Sequence, residues 1–274
     1  MIRSPNGKRS YLGPKFLRMS VISVRGLHKS YFNKVVLAGV DLVVDAGQII
    51  GYIGANGAGK STTIRILAGL DNRFEGEVRV LGHDVKADPL AVKRRIGYIP
   101  EAAEMYELLT PPEFYELVGG LQDLPLDVTL KRAKKLEEYL QLSYGNKQRI
   151  DTFSKGMKQK TLLISGLLHD PEIIFLDEPL AGLDANSVIR VKDLLQQLAG
   201  RGKTIFYSSH IMEVVEKISD RIILLDQGRV AAHGTFAEIS AQVKADEGDS
   251  LEQLFSELTG GGAATPGFDF TDDE

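Results

Sequence analysis

"GANGAGKST", residues 54–62, carries the strongest local signal in the chain. It fits the pattern G-x-x-x-x-G-K-[ST], with Gly54, Gly59, Lys60 and Ser61 at the fixed positions. Glycines let the backbone curl so that its N–H groups point at phosphate oxygens, and the positive end of a following helix favours the same anion. The alternative is a glycine-rich turn with an incidental lysine. Because "QIIGYI" predicts a buried strand before it and "KSTTIRILAGL" a helix after it, the context favours a phosphate-binding loop.

The residues of this loop have separate expected contacts. Lys60 is expected to reach the β and γ phosphates of a nucleotide, and the Ser61 hydroxyl is expected to bind Mg²⁺. The predicted nucleotide contacts in this stretch are Gly54, Asn56, Gly57, Ala58, Gly59, Lys60, Ser61 and Thr62.

The composition of the 274-residue chain narrows the class of protein. Hydrophobic content of 43% and charged content of 26% are ordinary for a globular protein, and the length suits one large or two small domains. The net charge of −4 gives no basic field, so nucleic acid is not predicted as a partner. The absence of cysteine excludes disulfides and cysteine-ligated metal or redox sites. Apolar runs such as "EIIFLD" are strand-sized, well short of the roughly 20 residues that a membrane span needs.

Strands and helices alternate on both sides of the loop. "VVLAGVDLVV" (35–44), "GEVRVLGHDV" (76–85) and "RIGYIP" (95–100) are each predicted as strands. From about 110 to 168 the pattern is helical only, and strand–helix alternation then resumes with "EIIFLD", "KTIFYSS" and "RIILLD". This order predicts a mainly parallel sheet with helices on both faces, interrupted by an inserted helical subdomain.

The two ends of the chain differ from this core. Residues 1–20 are basic and have no apolar stretch of the signal-peptide kind, so they are predicted to be a flexible leader. The main domain is assigned to 21–240, with its helical subdomain at about 101–165. "TFAEISAQV" and "SLEQLFSELTG" predict two terminal helices, the second within a C-terminal helical segment at 241–260. Residues 261–274 are glycine-rich and then acidic, which predicts a disordered tail.

Two strand ends carry candidate catalytic residues. "IIFLDEP" (173–179) ends in two acids at the edge of the sheet where α/β proteins bind ligands. Asp177 is expected to hold Mg²⁺, and Glu178 to accept a proton from an attacking water; two solvated acids at a strand end are the alternative. His210 ends the strand "TIFYSSH" and could donate to a γ-phosphate, although a lone histidine there is more often a surface or core residue.

"FSKGMKQK" (153–160) allows two interpretations on its own. Ser154 can be the N-cap of a helix whose lysines face water and whose apolar run enters the core. The same serine and the nearby glycine can also hold a phosphate, because a helix N-terminus favours an anion.

The order of these motifs resembles that of the nucleotide-binding subunit of an ABC transporter, over about residues 21–235. "SKGMKQ" is similar to the LSGGQ signature, and its form, like "YIPE" around Glu101, is similar to the ABC-2 export-type branch. The resemblance implies an α/β fold, namely a P-loop NTPase (RecA-like) core with a mainly parallel sheet, an antiparallel β region near the N-terminus and an inserted helical subdomain.

The resemblance also implies partners and cofactors. It implies Mg²⁺-dependent ATP hydrolysis in a head-to-tail dimer with a second copy or a homologous ATPase subunit. It further implies a separate membrane permease, with the chain held on the cytoplasmic, inner face of the cell membrane. The transported compound is not predicted.

Further site residues follow from the resemblance alone. Tyr31 would stack on adenine, and Asp184 in "GLD" matches the D-loop. The signature residues Ser154, Gly156 and Gln159 would contact ATP held by the partner. Glu101 stands at the Q-loop position, where glutamine is common, and would lie near both nucleotide and metal. The complete assignments are Glu178, His210 and Lys60 as catalytic residues, and Ser61, Asp177 and Glu101 as metal ligands.

Two other functions remain possible at this stage. One is a soluble ABC ATPase that acts on a macromolecular partner instead of transporting, although a single nucleotide domain and the lack of a basic patch disfavour it. The other is a regulatory module that binds ATP without hydrolysing it, which the full set of Lys60, Asp177, Glu178 and His210 disfavours.

Overall fold

The computed structural model describes residues 20–102, 105–243 and 250–259. The predicted leader, apart from Ser20, and the predicted tail at 261–274 lie outside the described residues. The elements in chain order are β1 (Ser20–Tyr31), β2 (Lys34–Asp45), β3 (Ile49–Gly54), α1 (Lys60–Leu67), β4 (Glu75–Val80), β5 (His83–Asp84), α2 (Pro89–Lys93), β6 (Ile96–Ile99), α3 (Pro111–Leu121), α4 (Leu126–Leu140), a 3₁₀ turn (Ile150–Thr152), α5 (Lys155–Leu167), β7 (Ile173–Asp177), α6 (Ala185–Gly200), β8 (Thr204–Ser208), α7 (Met212–Ile218), β9 (Arg221–Asp226), β10 (Arg229–Gly234), α8 (Phe236–Val243) and α9 (Leu251–Leu258).

The strands form two sheets. A six-stranded sheet has the order β10-β9-β3-β8-β7-β6, in which the last five strands are parallel and β10 pairs antiparallel at one edge. An antiparallel sheet near the N-terminus has the order β2-β1-β4-β5. Helices α3, α4 and α5 are inserted between β6 and β7. The predicted α/β fold, with its parallel core, antiparallel region and helical insertion, is therefore confirmed.

The parallel sheet is buried on both faces, and its strands divide their side chains between two cores. In β3, Ile49 and Ile53 pack with the apolar residues of α3–α7 and α9, whereas Ile50 and Tyr52 pack with α1 and the antiparallel sheet. Strand residues alternate between faces, so a strand buried on both faces must be apolar almost throughout. This explains the continuous runs "QIIGYI" and "EIIFLD". None of the helices in the described ranges combines the length and the apolar character that a bilayer crossing requires.

Three details differ from the sequence prediction. The single strand predicted over 76–85 is wrong, because β4 and β5 are separated by a turn at Leu81 and Gly82 with φ of 52° and 81°. Positive φ at both central residues is what a tight type I′ hairpin turn requires. The edge strand β10 was not predicted, since its small residues give little alternation. The helical spacing of the sequence predicts that Leu130 shares one face with Ala133, Leu136 and Leu140, but Leu130 is exposed.

Candidate active site

The loop between β3 and α1 is shaped by its glycines. Gly57 and Gly59 have φ of 80° and 109°, in the left-handed region that favours glycine. A Cβ atom at Gly59 would lie 2.6 Å from Cδ2 of Leu37, and one at Gly54 would lie 2.3 Å from the carbonyl oxygen of Leu225. The loop therefore needs glycine at 54 and 59 for packing and at 57 for conformation.

Lys60 and Ser61 begin helix α1 at the mouth of this loop. The buried Lys60 ammonium donates to the carbonyl oxygens of Gly54 at 2.7 Å and Ala55 at 3.3 Å. Ser61 is exposed at the helix N-terminus, where the helix dipole favours an anion. The arrangement has the cationic group and the free N–H groups that binding a phosphate requires.

Asp177 ends β7 directly beside Ser208, which ends β8. The Ser208 hydroxyl donates to Oδ1 of Asp177 at 2.5 Å, and both side chains are buried. Ser208 was not among the site residues predicted from the sequence. The serine is visible at the end of the predicted strand "TIFYSSH", but its contact with Asp177 depends on β8 lying beside β7 in the sheet.

Glu178 follows in a left-handed conformation, with φ of 48°. Its backbone N–H donates to the carbonyl oxygen of Ser208 at 3.2 Å, which holds the turn. Nδ1 of His210 lies 2.8 Å from Oε2 of Glu178, while the Glu178 residue is only 9% exposed. A non-glycine residue in this conformation stores backbone strain, which is common where a side chain must be aimed.

These groups converge on one cavity of about 440 Å³. It is lined by Tyr31, Lys34, Val36, Asn56, Gly57, Gly59, Lys60, Ser61, Thr62, Glu101, Asp177, Glu178 and His210. The structure thus brings together most of the predicted nucleotide, metal and catalytic residues, and adds Lys34 and Val36. Gly54 and Ala58 are buried. A larger cleft of about 810 Å³, lined by residues of α4, α6 and α7, contains none of the predicted site residues.

The signature residues do not line this cavity. Ser154 is the N-cap of α5 and accepts from the N–H of Met157 at 3.2 Å. The interpretation of Ser154 as a helix N-cap is therefore correct, and it does not exclude a contact with phosphate. A Cβ at Gly156 would lie 3.0 Å from the carbonyl oxygen of Gly182, so the signature packs against the turn that follows β7. At the end of that turn Asp184 caps α6, with Ser187 as donor.

The Asp184 carboxylate is fixed by two donors from one residue. The Ser187 hydroxyl donates to it at 2.6 Å and the Ser187 N–H at 3.0 Å. Together these two hydrogen bonds hold the pKa of Asp184 below its ordinary value, and the hydroxyl makes the larger contribution. The D-loop position is therefore a preformed N-cap, apart from the phosphate cavity.

Glu101 lies between the two regions. It lines the phosphate cavity and also a cleft of about 480 Å³ that includes Lys155, Lys158 and Gln159. Gln159 is buried, and its amide nitrogen has no hydrogen-bond partner within the described part of the chain. The Lys158 ammonium is 2.7 Å from the Glu107 carboxylate. The loop after β6 thus connects the phosphate cavity with the signature helix.

The chain is similar to known ABC transporter proteins. Residues 37–181 match the family described as ABC transporter. The linearmycin resistance ATP-binding protein LnrL of Bacillus subtilis is 34% identical over 234 residues, which cover 85% of this chain and 74% of the relative. The daunorubicin resistance ATP-binding protein DrrA3 of Streptomyces coeruleorubidus is 36% identical over 245 residues, covering 89% and 77%.

Solved structures are similar over most of their length. An ATP-binding subunit of an ABC transporter has a TM-score of 0.81 and 33% identity, covering 87% of this chain and 99% of the other. A dimeric ATP-binding cassette in a post-hydrolysis state, bound to ADP and Pi, has a TM-score of 0.73 and 25% identity, covering 78% and 98%. The chain therefore belongs to the ABC transporter family, as an ATP-binding and ATP-hydrolysing subunit.

Proposed function

We propose that this subunit powers export through a separate membrane permease, working as one half of a head-to-tail dimer that hydrolyses MgATP. The observation that carries the proposal is the single cavity that joins the phosphate loop to Asp177, Glu178 and His210. A module that only held nucleotide would have no need for a buried carboxylate with its own histidine at this place.

The residues of the cavity suit Mg²⁺. Ser61 offers a hydroxyl and Asp177 a carboxylate whose second oxygen lies free of the Ser208 contact. Mg²⁺ is usually held by one or two carboxylates together with substrate phosphates. A cluster of three or more metal-binding side chains is therefore unnecessary, and the described residues contain none. When bound, the ion neutralises negative charge on the phosphates.

Each catalytic residue has a task that its contacts support. The Lys60 ammonium lies inside the loop against the Gly54 carbonyl oxygen, from where it would donate to phosphate oxygens of bound ATP. Ser208 holds Asp177 in one orientation. Glu178 orients the attacking water and accepts its proton, because its carboxylate is buried beside the cavity and positioned by His210. His210 is 62% exposed, and in place of its contact with Glu178 it would donate its single imidazole N–H to the γ-phosphate as charge develops.

The signature completes the site of the partner subunit in this proposal. Ser154 and Gly156 lie outside their own chain's cavity, at the N-terminus of a helix that favours an anion. A head-to-tail arrangement with two-fold symmetry would bring each signature to the opposite phosphate loop. The dimeric cassette among the similar structures supports an assembly of two such subunits.

Export is proposed from the relatives. LnrL and DrrA3 are named for resistance to linearmycin and to daunorubicin, which removal of a toxic compound would explain. The permease would choose the compound and would hold this subunit at the cytoplasmic face of the cell membrane. The helical subdomain and the loop at Glu101 would transmit dimer closure to that permease.

Hydrolysis is tested by replacing Glu178 with glutamine. Glu178→Gln is expected to keep ATP binding and to lose at least about 99% of turnover, since general-base catalysis contributes about 10²–10⁴-fold. Glu172→Gln is the matched control, because Glu172 precedes the same strand at its opposite end and pairs with Arg95. Near-normal turnover in Glu178→Gln would reject the assignment of the base.

Transport is tested by purifying the tagged subunit from detergent-solubilised membranes of its host. A stoichiometric polytopic membrane protein in the eluate is expected, identified by mass spectrometry. Recovery only with ribosomal, DNA-bound or other soluble proteins would favour the non-transport ATPase and would leave the hydrolytic site intact.

A further inference from the structure

We propose that Lys29 and Asp71 act as positioning residues that fix the Tyr31 ring as a platform for the nucleotide base. The inference rests on the proposed function, because it requires the base of ATP to lie on Tyr31. The two residues lie outside the cavity lining and have no assigned role in the phosphate chemistry.

Lys29 and Asp71 form a buried ion pair behind the ring. The Lys29 ammonium is 2.7 Å from Oδ2 of Asp71, and the two residues are 3% and 9% exposed. The ammonium also donates to the carbonyl oxygen of Arg73 at 2.6 Å, and the Arg73 N–H donates to Oδ1 of Asp71 at 2.9 Å. Both charges are therefore held by the short segment that connects α1 to β4.

Tyr31 is attached to this pair at two points. Its hydroxyl donates to Oδ2 of Asp71 at 3.1 Å, and the Lys29 ammonium lies 4.5 Å from the centre of its ring. Lys29 and Tyr31 are two residues apart on β1, so their side chains share one face of the strand. The ring is 37% exposed and borders the phosphate cavity.

The charge on Asp71 is maintained despite its burial. Burial alone would raise the pKa of Asp71, but the donors Lys29, Arg73 and Tyr31 together outweigh it and hold the pKa below its ordinary value. Buried ion pairs add little net stability, because desolvation offsets much of the attraction between the charges. This pair also contacts the exposed Tyr31 at its hydroxyl and at the face of its ring. Support of the ring therefore explains the pair better than a contribution to stability does.

The consequence for binding is that the ring is ordered before the nucleotide arrives. A side chain held in its bound rotamer avoids an ordering cost that amounts to about a 2- to 12-fold change in affinity. The ammonium occupies one face of the ring through a cation–π contact, which leaves the opposite face for a base. Loss of the support should weaken binding of a nucleoside triphosphate without weakening contacts made only by the phosphates.

The test compares ATP with inorganic triphosphate, which has no base. Asp71→Asn leaves the buried Lys29 without its counter-charge and can unfold the protein. Tyr31→Phe removes only the hydroxyl and keeps the ion pair, so it is expected to retain the fold. We expect either variant, if folded by its melting curve, to raise the Kd for ATP about 2- to 12-fold. The Kd for inorganic triphosphate should stay within error, and in the ATPase assay the change should fall on KM.

The matched control is Asp170→Asn, which breaks a Lys–Asp pair with Lys203 at 2.7 Å, next to the amino end of β8 and away from the cavity. It should leave the Kd for ATP unchanged. In a double variant, Tyr31→Phe with Asp71→Asn, the two effects on the Kd for ATP should be less than additive, because both substitutions act on the support that Asp71 gives to the ring.

Three results would overturn the inference in different ways. If Tyr31→Ala weakens ATP binding strongly while Tyr31→Phe binds ATP like the wild type, the base lies on the ring but the support is not needed. If Tyr31→Ala itself binds ATP like the wild type, the base does not lie on Tyr31, and the adenine contact that the family resemblance implies fails with the inference, whereas the proposed ATP hydrolysis does not. Equal weakening for ATP and triphosphate would show a general disturbance of the site and would also reject the inference.

Discussion

Replacing Ser208 with alanine removes one hydroxyl at the centre of the site. That hydroxyl is fully buried and donates to the Asp177 carboxylate at 2.5 Å, across the end of two parallel strands. Hydrogen bonds to charged groups contribute about 1.5–3 kcal/mol, and a donor cannot be replaced by solvent at a site this deeply buried. Ser208→Ala is therefore expected to lower the free energy of unfolding by about this amount.

The measurable effect is a lower melting temperature. For a domain of this size each kcal/mol moves Tm by about 2–4 °C, so a decrease of about 3–12 °C is expected in a thermal unfolding scan without nucleotide. Asp177 would also lose the contact that orients it. Under the proposed function, half-maximal ATPase activity should then require a higher Mg²⁺ concentration.

A second buried serine provides the control. The Ser165 hydroxyl donates to the Leu162 carbonyl at 2.8 Å inside helix α5, so its partner is neutral. Ser165→Ala also places a good helix former in the helix and should change Tm much less. If Ser208→Ala melts within 1 °C of the wild type, a difference of less than about 0.5 kcal/mol, the hydroxyl–carboxylate contact does not hold Asp177 in solution.

Three further changes test other parts of the structure. Gly59→Ala should weaken ATP binding about tenfold or more, because its Cβ would meet Leu37 at 2.6 Å and its φ is 109°; titration with labelled ATP measures this. Glu101→Gln should keep ATPase activity, since the amide keeps the shape of the side chain, and an inactive variant would show that the carboxylate is needed. Burial raises the pKa of Glu137, and the hydrogen bond from the Tyr144 hydroxyl offsets this only in part. The folded state therefore binds the Glu137 proton more tightly than the unfolded chain does. As the pH rises through the raised pKa, ionisation of Glu137 lowers the stability of the fold. Glu137→Gln should therefore raise Tm at pH 8 and not at pH 4, and an equal effect at both pH values would contradict the shift.

Local sequence predicted those parts of the site that the chain builds from neighbouring residues. The loop from Gly54 to Ser61 was recognisable from its own glycines, the strand before it and the helix after it. The strand-end acids Asp177 and Glu178 were found in the same way, because an apolar run that ends in two carboxylates is visible without knowing its neighbours. His210 was a candidate from its place at a strand end, Tyr31 was placed by resemblance alone, and the cavity contains both.

What the sequence could not predict depends on contacts between distant segments. The Ser208–Asp177 contact joins residues 31 positions apart and requires knowing that β8 lies beside β7. The Tyr31–Asp71 contact spans 40 positions and links the first strand to the turn after α1. The turn at Leu81 was missed because leucine rarely adopts positive φ. The pairing of β4 with β5 offsets the cost of that conformation, and this pairing is not visible in the local sequence.

The phosphate loop lies at the junction of the two sheets, and this has a consequence for hydrogen exchange. Gly54 lies against the Leu225 carbonyl, Gly59 against Leu37, and the Ala38 N–H donates to the Gly228 carbonyl at 2.8 Å. Neither sheet can separate there without deforming the loop. A ligand present at 100 times its Kd raises the free energy of any opening motion that destroys its binding site by about 2.7 kcal/mol. Bound ATP should therefore slow amide exchange in the β1–β2 hairpin as well as in β3, although the hairpin supplies few of the groups that contact the phosphates.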